Sequence, residues 1–260
     1  MSGGGASDPL VGTHSRDLRL LAVAGLTIAT SLVVMRFEGP GLVTALEPFS
    51  VRRGGAAKIW DAASDLVRGP GLAALLLLGL SIARSAARRQ LLLTTALLGG
   101  LAVEALKQFV ARPRPLGDDV ALSWPSGHAM SAFGFAAALL VGTRLDARKA
   151  LLVVAAALVA ISRVFVLRHW PSDVLASLGV ALAALVVARR LPLLAGRFVV
   201  PAWVLPLAAA VILASSLLAM VLDPWGLRGP RAWGIVLSVA SFVFAGLADE
   251  PESIPVSTAP

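Results

Sequence analysis

A small set of polar residues stands out in an apolar chain of 260 residues, of which 57% are hydrophobic and 15% charged. The set combines fixed cations, two of the three histidines and one carboxylate: Lys107, Arg114, His128, Arg163, His169 and Asp173. Cations bind phosphoryl oxygens, whereas an imidazole attacks phosphorus or carries a proton. These residue types suit the handling of a phosphate ester by a covalent histidine route.

The first part of the set is Lys107 followed by Arg114-Pro115. Lys107 lies one helical turn after Glu104, so the two side chains can also form an ordinary ion pair at a membrane surface. Arg114-Pro115 alone is an ordinary loop dipeptide, and Arg112 beside it could do the same work.

The second part is Pro125-Ser126-Gly127-His128. Ser126 is placed to cap a helix, with Pro125 ahead of it and an apolar run behind it. Free backbone N–H groups at a helix start, with Gly127 allowing close approach, make an anion-binding site. His128 then projects from the first turn beside the anion. The alternative is a capped helix with an interfacial histidine.

The third part is Ser162-Arg163, followed by His169 and Asp173. Arg163 lies near the end of an apolar run, where an unpaired arginine is costly. Pro171 suits the start of a helix, and Asp173 suits its first turn. A carboxylate four residues after His169 can hold one ring nitrogen, which fixes the tautomer and leaves the other nitrogen free to attack. The alternative is an interfacial His–Asp pair without chemistry.

The elements that must position these residues are apolar segments near the ~20 residues needed to cross a bilayer. Backbone groups in lipid must be satisfied within their own segment, so the segments are helices and the fold class is all-α, a polytopic membrane bundle. We predict eight spans: Leu18–Met35, Gly69–Ala87, Leu91–Val110, Ser126–Val141, Lys149–Leu167, Ser172–Ala188, Phe198–Leu222 and Ala232–Ala248. The stretch 36–68 mixes apolar and charged residues, which is typical of an interfacial segment.

Eight spans place both termini on one side, and the basic residues of the short loops on that side make it cytoplasmic. The loops between spans three and four and between spans five and six then share the non-cytoplasmic face. The net charge of +8 fits lipid headgroups rather than nucleic acid, because the basic residues are dispersed. With no cysteine, a disulfide or thiolate metal site is excluded.

Together, the three parts resemble the type 2 phosphatidic acid phosphatase and vanadium haloperoxidase superfamily. Its motifs are Lys-x6-Arg-Pro, Pro-Ser-Gly-His and Ser-Arg-x5-His-x3-Asp, and this sequence matches all of them within about residues 70–190. One departure is Leu167-Arg168 before His169, where many relatives carry a small residue such as glycine. This departure bears on the shape of the site mouth rather than on the chemistry.

The resemblance implies His169 as the nucleophile, Asp173 as its orienting partner and His128 as the proton carrier. It implies a phosphate-binding group made of Lys107, Arg114, Ser126, Gly127 and Arg163. No metal and no cofactor are implied, and Asp118-Asp119 are interpreted as a solvated loop because no histidine lies near them. The expected organisation is a disordered cytoplasmic tail (1–15), a six-helix phosphatase core (16–190), two additional spans (191–248) and a second disordered tail (249–260).

The function predicted from the resemblance is that of a lipid phosphate phosphatase in the plasma membrane, with its active site on the non-cytoplasmic face. Phosphatidic acid, phosphatidylglycerol phosphate and polyprenyl pyrophosphate all fit a membrane-embedded site. A lipid phosphotransferase on the same scaffold and a non-catalytic membrane transporter are the alternatives. A haloperoxidase is disfavoured, because those relatives resemble soluble helical proteins. The sequence does not choose an oligomeric state.

Overall fold

The computed structural model describes residues 14–50, 59–60, 62–63, 66, 70–83, 85–116, 122–144 and 146–191, with six single residues between 207 and 217. Regular structure in this part of the chain is helical and contains no strand, which confirms the all-α prediction there. The helices are α1 (His14–Val34), α2 (Pro40–Leu46), α3 (Pro70–Ile82), α4 (Ala86–Val110), α5 (Gly127–Leu140), α6 (Ala147–Phe165) and α7 (Pro171–Arg190). Short 3-10 helices, Met35–Phe37 and Glu47–Phe49, flank α2.

Among the described residues, three helical stretches are long and apolar enough to cross a membrane. They are His14–Phe37, Ala86–Val110 and Pro171–Arg190, with mean hydropathies of 2.0, 1.3 and 1.9. The apolar stretches Gly71–Ile82 and Gly127–Leu140 are shorter. Leucines on the outer surface, such as Leu26, Leu97 and Leu151, are more than half exposed. Apolar surface of this extent is consistent with a membrane protein, because contiguous apolar patches are rare on soluble monomers.

Helices α1 and α3–α7 overlap the first six predicted spans, but α3, α5 and α6 are not among the described helices that are long and apolar enough to cross a membrane, so the six-helix membrane core stays a prediction. Predicted span Gly69–Ala87 is too long, because α3 ends at Ile82 and Ser85 caps the next helix by accepting the Arg88 N–H at 3.2 Å. α1 begins at His14, within the predicted tail. The predicted spans 198–222 and 232–248 lie outside the described residues, isolated positions apart, so the count of eight spans stays a prediction.

The α7 helix lies at the centre of the described helices and packs against α1, α4 and α5. Small residues allow these close approaches. A Cβ atom added to Gly179 would lie 2.6 Å from Ile28 Cγ1 and 2.7 Å from the Ala24 carbonyl of α1. A Cβ on Gly99 would lie 2.3 Å from the Met130 sulfur of α5. Close packing of small residues is what holds helices together in lipid, where the hydrophobic effect between helices is absent.

A buried ion cluster fastens α1 to α7 where α1 begins and α7 ends. Asp17 is buried, with its carboxylate oxygens 2.7 Å from Arg189 Nη1 and 2.5 Å from Arg190 Nε. His14 lies at the same end, with Nδ1 3.4 Å from Arg190 Nη2. His14 is therefore part of α1 rather than of a tail. The predicted site residues lie at the other end of α7.

Candidate active site

Two connections meet at the end of the bundle where α7 begins. Residues 111–126 join α4 to α5, and residues 166–170 join α6 to α7. The Ser126 N–H donates to the Asp173 carbonyl at 3.3 Å, and Ser177 Oγ lies 2.6 Å from the same oxygen. The two loops thus lie at one end of the bundle. Asp118-Asp119, interpreted from the sequence as a solvated loop, lie outside the described residues.

His169 and Asp173 form a buried pair, 3% and 0% exposed. His169 Nδ1 lies 2.9 Å from the Ser123 carbonyl oxygen and 3.3 Å from Asp173 Oδ2. A carbonyl and a carboxylate can only accept, so Nδ1 carries the ring proton and Nε2 carries the lone pair. Pro171 occupies the first position of α7, where its missing N–H costs no helical hydrogen bond, and Asp173 lies in the first turn.

Burial is the main cause that lowers the pKa of His169 below its ordinary value of 6.5. The hydrogen bond and the charge of Asp173 oppose this shift, whereas the nearby charges of Arg163 and Arg114 add to it. The imidazole is therefore neutral at neutral pH. A neutral ring with the proton on Nδ1 has Nε2 available as a nucleophile or as a base.

Arginines supply the positive charge around this histidine. Arg163 lies in the last turn of α6 and is 7% exposed, and its carbonyl accepts the N–H groups of Arg168 (3.2 Å) and His169 (3.1 Å). Arg114 Nε is buried and has no hydrogen-bond partner among the described residues. Burial lowers the pKa of Arg114, the charge of Arg168 lowers it further, and Asp173 raises it. Crowded cations of this kind favour a bound anion.

The helix start predicted from Pro125-Ser126-Gly127-His128 is confirmed. Ser126 is the N-cap of α5, and its Oγ accepts the Ala129 N–H at 3.4 Å. Among the described residues, a Cβ on Gly127 would have only Val103 as a neighbour, 3.7 Å away, so the backbone there is open to close approach. His128 lies in the first turn and is partly buried.

Lys107 is not brought to the other candidates by any contact within the described part of the chain. It lies in the last turn of α4, where its Nζ is 2.7 Å from Glu104 Oε1. This is the ordinary ion pair that the sequence left open as an alternative. Its place in a phosphate site therefore depends on the sequence motif alone.

Sequence reasoning missed part of the surroundings of Asp173. Arg112, which the sequence left open as an alternative to Arg114, donates from Nη1 to Asp173 Oδ1 at 2.9 Å and from Nη2 to Glu38 Oε2 at 2.9 Å. Glu38 follows the first span and received no role from the sequence. The available signal was the position of Glu38 directly after the first span, because an ionisable residue at a span end requires a partner.

The fold and site thus define an all-helical, apolar protein whose buried His–Asp pair lies among arginines at one end of a helical bundle. Residues 89–197 match the family model of the PAP2 superfamily, and this match contains the three motifs from Lys107 to Asp173. This match supports membership of the superfamily of type 2 phosphatidic acid phosphatases. The matched superfamily suggests a phosphatase-type activity. No curated protein and no solved structure matches the chain.

Proposed function

We propose that the protein is a membrane-embedded phosphatase that hydrolyses the phosphate ester or pyrophosphate of a lipid through a phosphohistidine intermediate. The observation that carries the proposal is the tautomer of His169. Its Nδ1 faces two acceptors at 2.9 and 3.3 Å, which leaves the Nε2 lone pair for attack. Membership of the PAP2 superfamily supports phosphatase chemistry independently.

In the first step, His169 Nε2 attacks phosphorus and the bond to the lipid oxygen breaks. The leaving oxygen takes a proton from His128, which gives the lipid alcohol and a phosphohistidine. In the second step, His128 takes a proton from water, the water oxygen attacks phosphorus, and the N–P bond breaks. Inorganic phosphate leaves, and both histidines return to their starting protonation states.

Arg114 and Arg163 bind the phosphoryl oxygens and offset the charge that develops in the transition state. Ser126 and the backbone N–H of Gly127 add hydrogen bonds at the start of α5. Lys107 joins this group on the strength of its motif, and it must then exchange Glu104 for the substrate. The clamp consists of fixed cations, so the proposal includes no metal and no cofactor.

A lipid substrate is supported by an apolar cavity of about 270 Å³ beside the catalytic loop. Its lining includes Phe133 of α5, Val164 of α6 and Val174 of α7. A hydrocarbon chain in this cavity would lie against α6 and α7, the two helices that carry Arg163 and Asp173. Phosphatidic acid, phosphatidylglycerol phosphate and a polyprenyl pyrophosphate remain the proposed substrate classes.

The test is phosphate release from a panel of these lipids by purified protein in detergent micelles. We expect His169→Ala to lower kcat by about 10³-fold or more, because the nucleophile is removed. His14→Ala is the matched control, since His14 lies at the opposite end of α7 and should leave the rate unchanged. Phosphate release that survives in His169→Ala would contradict the proposal and favour a non-catalytic role, such as a transporter.

Hydrolysis and transfer differ in where the phosphoryl group goes. Free phosphate in equal amount to the dephosphorylated lipid supports a hydrolase, whereas a phosphorylated acceptor lipid supports a phosphotransferase. We also propose that the site faces the non-cytoplasmic side of the plasma membrane. Intact cells should then release phosphate from added lipid without permeabilisation, and a strict need for permeabilisation would place the site on the other side.

A further inference from the structure

The catalytic pair is tied to the first helix by a chain of buried hydrogen bonds. Glu38, which follows α1, is 3% exposed, and Arg112, which follows α4, is 10% exposed. The Arg112 guanidinium donates to three oxygens: to Ser172 Oγ at 2.6 Å, to Asp173 Oδ1 at 2.9 Å and to Glu38 Oε2 at 2.9 Å. Three segments far apart in sequence therefore meet on one guanidinium.

Glu38 also holds the start of α7 directly. Its Oε1 accepts the backbone N–H of Ser172 at 2.9 Å, and its Oε2 accepts the hydroxyl of the same residue. A carboxylate on the free N–H groups at a helix start is favourable, because of the helix dipole and because those groups lack partners within the helix. The Arg112 guanidinium lies over the Trp170 ring, 4.9 Å from its centroid, which fixes its plane.

The two oxygens of Asp173 have separate partners. Oδ1 accepts from Arg112, whereas Oδ2 accepts the Trp170 N–H at 2.8 Å and the His169 Nδ1–H at 3.3 Å. Rotation of the carboxylate would break all of these bonds together. The side of Asp173 that does not face the imidazole is therefore the side that Arg112 holds.

We propose that Glu38 and Arg112 form a positioning bridge that fixes the Asp173 carboxylate, and through it the His169 ring, in the orientation needed for attack. Neither residue is a catalytic residue, because each acts through Asp173. The inference rests on the proposed phosphohistidine chemistry and extends it to a residue outside the matched segment 89–197. Arginine is required at position 112 because its planar fork reaches several oxygens at once, which a lysine ammonium cannot do from one point.

The competing explanation is that Glu38 merely holds α1 against α7. The chain offers a matched control for it, since Asp17 makes a buried ion pair between the same two helices at their other end. Glu38→Gln and Asp17→Asn each remove one buried negative charge while nearly keeping the side-chain shape. If Glu38 has a merely structural role, both substitutions should lower kcat equally.

The experiment compares kcat, KM and thermal stability of the full-length protein in the same detergent. We expect Glu38→Gln and Arg112→Gln to lower kcat by about 10–100-fold, by analogy with partners that orient a metal-bound histidine. KM should stay near that of the wild type, because neither side chain is part of the phosphate clamp. The kcat of Arg112→Lys should fall between those of the wild type and Arg112→Gln. The double variant Glu38→Gln/Arg112→Gln should have a kcat little lower than that of Arg112→Gln alone.

A second readout does not depend on turnover. The chain has three histidines, so ¹⁵N-histidine NMR can follow His169, whose signals are assigned by their loss in His169→Ala. We expect a single tautomer with the proton on Nδ1 in the wild type and in Asp17→Asn, and a changed His169 spectrum in Glu38→Gln. An unchanged spectrum in Glu38→Gln and Arg112→Lys overturns the bridge, as do equal kcat losses in Glu38→Gln and Asp17→Asn. An inactive wild type with the expected spectra overturns the proposed reaction instead.

Discussion

Ala111 and Leu167 have left-handed backbone angles, with φ of 49° and 53°, in the described part of the chain. A residue other than glycine pays about 1–2 kcal/mol for this conformation. Glycine removes that cost but makes the unfolded chain freer, which costs about 0.4–1 kcal/mol. The backbone gain from glycine is therefore roughly 0.5–1 kcal/mol at either site. The side chains then decide the sign.

At position 111 the side chain contributes little, because Ala111 is an exposed residue that ends α4, with its N–H on the Lys107 carbonyl at 2.8 Å. Ala111→Gly should raise the free energy of unfolding by roughly 0.5–1 kcal/mol. Leu167 is 2% exposed, and loss of a buried leucine side chain costs about 2–5 kcal/mol. Leu167→Gly should thus lower the stability by roughly 1–4 kcal/mol.

The assay is thermal unfolding in one detergent, followed by the fluorescence of the six tryptophans. Tm shifts by about 2–4 °C per kcal/mol in chains of this size, so Ala111→Gly should raise Tm by about 1–4 °C. Leu167→Gly should lower Tm, and Leu167→Ala, which keeps the left-handed angle, should lower it further. A lower Tm for Ala111→Gly, or a more stable Leu167→Ala than Leu167→Gly, refutes the balance of strain and burial.

Three further outcomes are expected. Folding lowers the pKa of His169, so the unfolded chain takes up a proton at a higher pH than the folded chain. The free energy of unfolding should therefore fall as the pH drops below 6.5. A plot of Tm against pH should be flatter in His169→Gln, which lacks this titrating group. Vanadate should inhibit the wild type in the presence of a chelator, whereas vanadate insensitivity with a strict need for a divalent metal contradicts the histidine route. Gly179→Val should lower stability by about 1–3 kcal/mol, since its side chain meets the Ala24 carbonyl, and a neutral Tm counts against the close contact of α1 with α7.

Local signals in the sequence were sufficient to predict where the helices near the site begin. Ser126 caps α5 as its position after Pro125 predicts, and Pro171 begins α7 with Asp173 in the first turn. Such features depend on the residues within one helical turn, so they can be inferred without knowing what packs against them. The contact of Asp173 with His169 follows from the same short spacing.

The partners of Asp173 on its other side could not be inferred in this way. Arg112 lies 61 positions before its partner Asp173, and Glu38 lies 74 positions before its partner Arg112. Which of two neighbouring arginines turns toward the carboxylates depends on how α1 and α4 pack against α7. The motif also leaves both Glu104 and the substrate as partners of Lys107, because Glu104 lies only one helical turn away.

The charge balance of the site follows once these partners are known. Glu38 and Asp173 are both bonded to Arg112, so a single arginine faces two carboxylates. Three more arginines lie near His169: Arg114, Arg163 and Arg168. Since Arg112 is bonded to both carboxylates, the positive charge that acts on the His169 imidazole is that of Arg163 and Arg114, and such charge beside a neutral ring favours an anion there.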